Sequence, residues 1–344
     1  MILKKQRAVC FGEIMGRLSP EGYLRIKQAR TYQLSFAGGE VNVAVALASF
    51  GLDAAFVTKA PANDLTEAML RDLRGYKVDL GHMVYGGERL GMYYVEKGAS
   101  QRPSKVIYDR KYSSIAMAKR EDFKWEEILE GRDWFHFTGI TPALSQNTVE
   151  ITRDALQCAK KKGVTVSCDI NYRATLWSPE EAGKVMTDLM QYVDVCISNE
   201  EDAEQVFGIH ASNTDVTSGK INRAGYEDVA RQLMTRFGFK KVAITMRGSI
   251  SASDNSWAGM FYNGEEFLHS ANYIIHLVDR VGGGDSFAGG LIYGLMSGYD
   301  DKTALDFAVA ASCLKQATEF DFVQSSVQEV HKLMGGDASG RVQR

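Results

Sequence analysis

The chain has 344 residues, 45% of them apolar and 24% charged, a globular balance that excludes a disordered or fibrous chain and suits one large or two modest domains. Its 40 Lys and Arg against 43 Asp and Glu leave a net charge of −3 with no long block of either sign. A nucleic-acid or anionic-membrane binder would carry a basic excess or stripe, so neither partner is expected.

In chain order, Lys4, Lys5 and Arg7 precede only the short apolar run Ala8–Phe11, too short for a secretory signal, and no later run is long enough to cross a bilayer. The five cysteines (Cys10, Cys158, Cys168, Cys196, Cys313) form no C-x-x-C pair, which argues against a disulfide framework or a cysteine zinc site. A soluble protein of a reducing, cytoplasmic compartment is expected. Short apolar runs then alternate with helical stretches: Ala54–Thr58 with Leu65–Leu73, Trp134–Thr138 with Thr148–Lys162, and Val164–Asp169 with Pro179–Tyr192. Val193–Ser198 leads into Glu200–Phe207, and Tyr226–Phe237 into Lys241–Thr245. The rhythm predicts βαβ units and a mainly parallel sheet covered on both faces.

Arg17–Phe36 and Leu90–Arg110 break the rhythm with Tyr-rich alternation of apolar and polar residues. They predict a small sheet projecting from the main domain, with strands from about 14–37 and 88–112. Such a sheet closes over a ligand or forms a dimer surface. From Gly283 the pattern is helical, over Phe287–Ser297, Lys302–Thr318 and Val327–Met334. One domain over 1–334 with a frayed polar tail at 335–344 is the expected organisation. Lys160–Lys162 ends a predicted helix, where cations complement the dipole.

Two glycine motifs carry the chemistry. In Asp279-Arg280-Val281-Gly282-Gly283-Gly284-Asp285-Ser286, three glycines before a helix let backbone N–H groups converge on an anion. Asp285 at its mouth is placed to accept a hydroxyl proton, and the helix dipole is expected to keep it ionised. The same pattern also fits a plain glycine turn with Asp285 or Ser286 as N-cap, and with Gly289-Gly290 allowing close helix packing. In Ala37-Gly38-Gly39-Glu40-Val41-Asn42, the glycines permit close approach and Asn42 opens an apolar helix, as a ligand or as its cap. No Walker A loop or dinucleotide fingerprint occurs.

Together, Gly38-Gly39-x-x-Asn42-x-Ala44 with Gly51, and Gly282-Gly283-Gly284-Asp285, resemble the two signatures of the ribokinase-like (PfkB-type) sugar kinases over essentially the whole chain. The resemblance implies an α/β three-layer sandwich with a small β-sheet lid that transfers the γ-phosphoryl of ATP to a sugar hydroxyl. It makes Asp285 the base and the Gly282–Gly284 backbone the anion hole. Gly91-Met92-Tyr93-Tyr94, Tyr108-Asp109-Arg110 and Asp169-Ile170-Asn171-Tyr172-Arg173 make the chain most similar, within the family, to the 2-keto-3-deoxygluconate kinases. The likeness implies that Tyr93, Tyr108 and Arg110 hold a sugar acid together with Gly38, Gly39, Asn42 and Asp321. It places Asn171, Arg173, Asn199, Thr245, Arg247 and Gly248 with Gly282 and Gly284 at the nucleotide. Magnesium would be held through water by Asp202. A monovalent cation is compatible with the resemblance but has no residue signature here.

A planar guanidinium on a closing lid suits a carboxylate, and Arg173 suits charge on a transferred phosphoryl group. Arg110 as a lid salt bridge, Tyr93 as packing or a dimer contact, and Arg173 as a surface charge remain the alternatives. The chain departs from the family pattern at Gly283 (commonly Ala), Pro61 (commonly Gly), Asp202 (commonly Glu), Phe320 (often Gly) and Gly12-Glu13, where ribose and nucleoside kinases carry Asn-x-Asp. The expected partners are a small-molecule sugar acid and ATP, with a homodimer or higher oligomer through the lid sheet. A kinase for fructose or 2-keto-3-deoxygalactonate, a non-catalytic sugar- or nucleotide-binding protein, and least of all an oxidoreductase are the rivals.

Overall fold

A computed structural model describes residues 6–211 and 223–336. Its first elements are β1 (Arg7–Phe11), β2 (Met15–Ser19), β3 (Gln33–Ala37), α1 (Gly39–Ser49), β4 (Asp53–Val57), β5 (Lys59–Ala60), α2 (Asp64–Gly75), β6 (Val84–Tyr85), β7 (Gly91–Glu96) and β8 (Lys105–Asp109). The middle of the chain forms α3 (Trp125–Ile128), β9 (Trp134–Thr138), α4 (Gln146–Lys162), β10 (Thr165–Asp169), α5 (Pro179–Met190), β11 (Val195–Ser198), α6 (Glu200–Phe207) and α7 (Arg223–Phe237). It closes with β12 (Lys241–Ser249), β13 (Asp254–Tyr262), β14 (Phe267–His269), β15 (Tyr273–His276), α8 (Gly283–Met296), α9 (Asp301–Gln316) and α10 (Val327–Met334).

The main sheet runs β14-β13-β12-β11-β10-β9-β1-β4, with β15 also on β13. Every pair from β12 to β4 is parallel, and β13, β14 and β15 add antiparallel strands at one side. Alternation within the buried strands feeds two cores. Val9 and Phe11 face a core with α4, α5, α6 and α7, while Ala8 and Cys10 face one with α1, α2, α8 and α9. The expected three-layer α/β sandwich is the observed architecture. Gly289 and Gly290 let α8 lie against α1 and α9, where a Cβ would stand 2.7 Å from Ala46 Cβ and 2.8 Å from Ala308 Cα.

The chain leaves β1 on one side for β4 and returns on the other as β9, so a crevice opens at the carboxyl ends of the strands, where such folds bind ligands. Over that crevice stands a second sheet of order β3-β2-β7-β8. Its β7–β8 hairpin pairs Met92 with Asp109 and Tyr93 with Tyr108, as the alternation predicted. The predicted first lid segment is shorter than expected: only Met15–Ser19 and Gln33–Ala37 are strands, because Pro20, Gly22 and the residues to Tyr32 turn the chain between them.

Helix ends follow local chemistry. Ser145 caps α4 and Gly163 closes it in the left-handed conformation, with Lys161 and Lys162 paired to Glu126 and Glu130. The strands β13–β15 were not anticipated, since Ser251, Ser253, Asp254 and Asn255 read as loop and the alternation behind them is weak. All five cysteines are free and buried. Among the described residues no helix is long and apolar enough to cross a membrane. Of the expected tail, Gly335 and Gly336 close α10, and 337–344 lie outside the described residues.

Candidate active site

A cleft of about 670 Å³ lies between the lid and the carboxyl edge of the main sheet. The two glycine motifs, far apart in sequence, meet on its floor. Gly282 caps α8 with a left-handed φ of 82°, and a Cβ there would stand 2.4 Å from the Asp321 carbonyl oxygen. Gly283, where the family commonly has Ala, gives up its Cβ space to Gln316, whose Cδ would be 2.9 Å away. Gly284 opens onto the cleft, and Asp285 follows in the first turn of α8, partly exposed to the cleft.

Asn42 does not cap α1, as one alternative had it; Gly38 occupies that position. Asn42 instead lies one turn in. Its Oδ1 accepts from the Gly38 N–H at 3.3 Å and its Nδ2 donates to Asp285 Oδ2 at 2.6 Å. Asp285 also departs from the expectation that the helix dipole keeps it ionised. Burial raises its pKa to about 7 against the Asn42 hydrogen bond, which lowers it; Asp321 and Glu40 raise it further and Arg173 opposes them. A carboxyl poised near neutrality can take a proton and release it.

The lid side of the cleft holds Gly38, Gly39, Tyr93, Tyr108, Arg110 and Asp321. Tyr93 and Tyr108 stack with ring centres 6.0 Å apart, and the Tyr93 hydroxyl donates to Asp321 Oδ1 at 3.0 Å. Arg110 is not a free fork: its Nε donates to Glu13 Oε2 at 2.7 Å and its Nη2 reaches the same oxygen. The Ser113 hydroxyl donates to the other Glu13 oxygen at 2.6 Å. The salt-bridge alternative therefore holds for this conformation, with Glu13 as its partner.

The opposite side holds Asn171, Arg173, Asn199, Asp202, Thr245 and Arg247. Asn171 sits at a φ of 43° two residues past the end of β10. Asn199 caps α6 through Asp202 N at 2.7 Å, and its Nδ2 donates to Asp202 Oδ2 at 3.0 Å. Burial raises the Asp202 carboxyl to about 6, with Arg173 opposing. Thr245, Arg247 and Ser249 alternate along β12 to face the cleft, and Gly248 does not line it.

Several cleft residues escaped the sequence analysis. Arg280, within the quoted motif, lines the cleft beside Arg247, and among the described residues Arg173, Arg247 and Arg280 have no ion-pair partner. Asp169, also inside a quoted motif, is pushed well up by burial and by Asp202 and Asp285. Glu40 is buried and accepts from the Thr138 N–H, the Thr138 hydroxyl and the Thr141 hydroxyl; burial raises its pKa and these bonds lower it in part. Arg17, wholly buried on β2, forks onto Asp279 and Asp321 and so ties the lid to the start of the glycine turn and to the segment that follows α9. No local pattern marks Arg17; only the fold brings its partners together.

A profile of pfkB family carbohydrate kinases matches residues 5–318. The crystal structure of 2-dehydro-3-deoxygluconokinase from Thermotoga maritima is 50% identical, with a TM-score of 0.93 over 97% of this chain and 99% of that one. The 2-dehydro-3-deoxygalactonokinase of Haloferax volcanii is 33% identical over 331 residues, 96% of this chain and 97% of its own. The 2-dehydro-3-deoxygluconokinase of Bacillus subtilis is 27% identical over 90% of each chain.

Proposed function

The chain belongs to the pfkB family of carbohydrate kinases, and on that premise we propose that it transfers the γ-phosphoryl group of ATP to the terminal (6-) hydroxyl of 2-keto-3-deoxygluconate, giving the 6-phosphate. One observation carries this reading. The near-neutral carboxyl of Asp285 stands at the glycine turn, between a lid that presents Arg110, Tyr93 and Tyr108 and a wall that presents three guanidiniums with no ion-pair partner among the described residues. The similarity to kinases named for 2-dehydro-3-deoxy (2-keto-3-deoxy) sugar acids supports that substrate class.

In the proposed step the substrate hydroxyl oxygen attacks the γ-phosphorus, the bond to the β–γ bridging oxygen breaks, and ADP leaves. Asp285 takes the hydroxyl proton, and Asn42 aims its carboxylate. Such transfers depend on positioning and on charge stabilisation more than on a strong base. The N–H groups of Gly282 and Gly284 receive the transferred group, while that of Gly283 donates to the Arg280 carbonyl at 3.3 Å. Arg173 offsets its charge, while Arg247 and Arg280 face the rest of the triphosphate. On the lid, Arg110 meets the sugar carboxylate, with Glu13 ceding part of the guanidinium, and Asp321 accepts from sugar hydroxyls.

Among the described residues no three acidic, His or Cys side chains are grouped to hold a metal by themselves. Magnesium seldom needs such a cage, since it keeps several waters and binds one or two carboxylates with the phosphates. Asp169, which burial and the Asp202 charge push up, and Asp202, which burial pushes up, suit that role. Bound there with ATP, the ion would neutralise phosphate charge.

The galactonate epimer is a second reading, favoured by the Haloferax volcanii relative. One hydroxyl's placement separates the two. A coupled assay for ADP over a panel of sugars and sugar acids tests the proposal: turnover on 2-keto-3-deoxy acids supports it, and turnover on fructose alone sinks it. Strand β8 is exposed along its length, with Val106 and Ile107 on it, and a second copy of this chain is the partner proposed for that edge. Sedimentation of Ile107→Lys as a monomer, against a parent dimer, would bear this out.

A further inference from the structure

Lys315, on α9, is wholly buried, yet its ammonium meets no carboxylate within ion-pair distance among the described residues. It donates instead to the backbone carbonyl of Asp279 at 3.1 Å and to that of Val281. The carboxylates on that side are already taken, Asp279 and Asp321 both by Arg17. One turn earlier on the same helix face, the Ser312 hydroxyl donates to the Gly283 carbonyl at 2.7 Å. Three alternate carbonyls of the turn, at 279, 281 and 283, are thus clamped from one helix.

In a trans peptide the carbonyl and the following N–H point in opposite directions. Holding the carbonyls of Asp279, Val281 and Gly283 on the α9 side aims the N–H groups of Arg280, Gly282 and Gly284 to the other. Those three residues line the cleft, and their N–H groups have no hydrogen-bond partner among the described residues. Burying an ammonium is unfavourable, and an apolar side chain of similar size would commonly serve stability as well or better. The charges acting on Lys315 are those of Asp279, Asp321, Arg17 and Asp285, so its field reaches the proposed base.

We propose that Lys315 is a positioning residue of phosphoryl transfer. With Ser312 it clamps the alternate carbonyls of the turn so that three N–H groups converge on the transferred group, and it sets its amino group behind them. The proposal rests on the phosphoryl-transfer reading of this cleft.

The test compares Lys315→Met, Lys315→Ala and Asp285→Asn in the full chain, on whichever sugar the parent phosphorylates. Lys315→Met should lose about 10²- to 10³-fold in kcat, the usual cost of a lost anion-hole donor, with KM for the sugar within about twofold. Methylammonium, but not choline, should restore part of the kcat of Lys315→Ala by refilling the vacated place. Parental kcat in Lys315→Met, with Asp285→Asn inactive, overturns the proposal and leaves the site reading intact. Parental kcat in Asp285→Asn overturns the site reading itself. Should the Lys315 variants fail to fold, Ser312→Ala decides: a fall of about tenfold or more in kcat alone supports the clamp, and an unchanged kcat overturns it.

Discussion

The Asn42 amide donates to the Asp285 carboxylate at 2.6 Å across 243 residues of sequence. Through this bond the first glycine motif holds the side chain that the second one presents. It also favours the ionised carboxylate, opposing the burial that raises the Asp285 pKa to about 7.

A base works only when deprotonated, so kcat/KM should rise with pH through about 7 and level above it. Removing the amide in Asn42→Ala withdraws a bond from the anion, and the rising limb should move to higher pH. A pH–rate profile of both proteins checks this; a limb that does not move would separate Asn42 from the ionisation of Asp285.

The same shift acts on stability. A carboxyl whose folded pKa lies above its unfolded value binds more protons in the native state, so stability falls as pH rises from about 4 to about 7. Asp285→Asn escapes that loss. Its melting temperature should exceed the parent's at pH above about 7 and converge with it below about 4, as differential scanning fluorimetry across pH would report.

Much of this was legible from the residues. The βα rhythm placed nearly every parallel strand, because buried parallel strands are short apolar runs between helices. The paired glycine motifs placed the floor of the cleft, because the close backbone approach at Gly38 and the left-handed turn at Gly282 require glycine. What stayed hidden depended on side chains meeting across the fold. Arg17 looks like any lid arginine until Asp279 and Asp321 close on it. Glu13 gave no sign that it would engage Arg110.

Arg110 is tested with Glu13 neutralised, since removing the arginine alone strands a buried carboxylate. In the Glu13→Gln background, Arg110→Ala should lower kcat/KM on the sugar acid by about 10- to 100-fold and leave any activity on neutral sugars unchanged. Equal losses on acid and neutral sugars would remove Arg110 from carboxylate recognition.

Arg17→Met leaves Asp279 and Asp321 buried without their cation. Breaking such a group costs about 3–5 kcal/mol, so urea unfolding should show a large fall in midpoint. A loss below about 1 kcal/mol would mean that the carboxylates find other partners or take up protons.

The most direct test of the central claim is the turnover of Asp285→Asn on 2-keto-3-deoxygluconate, with ATP binding measured on the same protein. The account predicts a loss of about 10³-fold or more in kcat while ATP still binds. Retention of most of the turnover with ATP bound would contradict it.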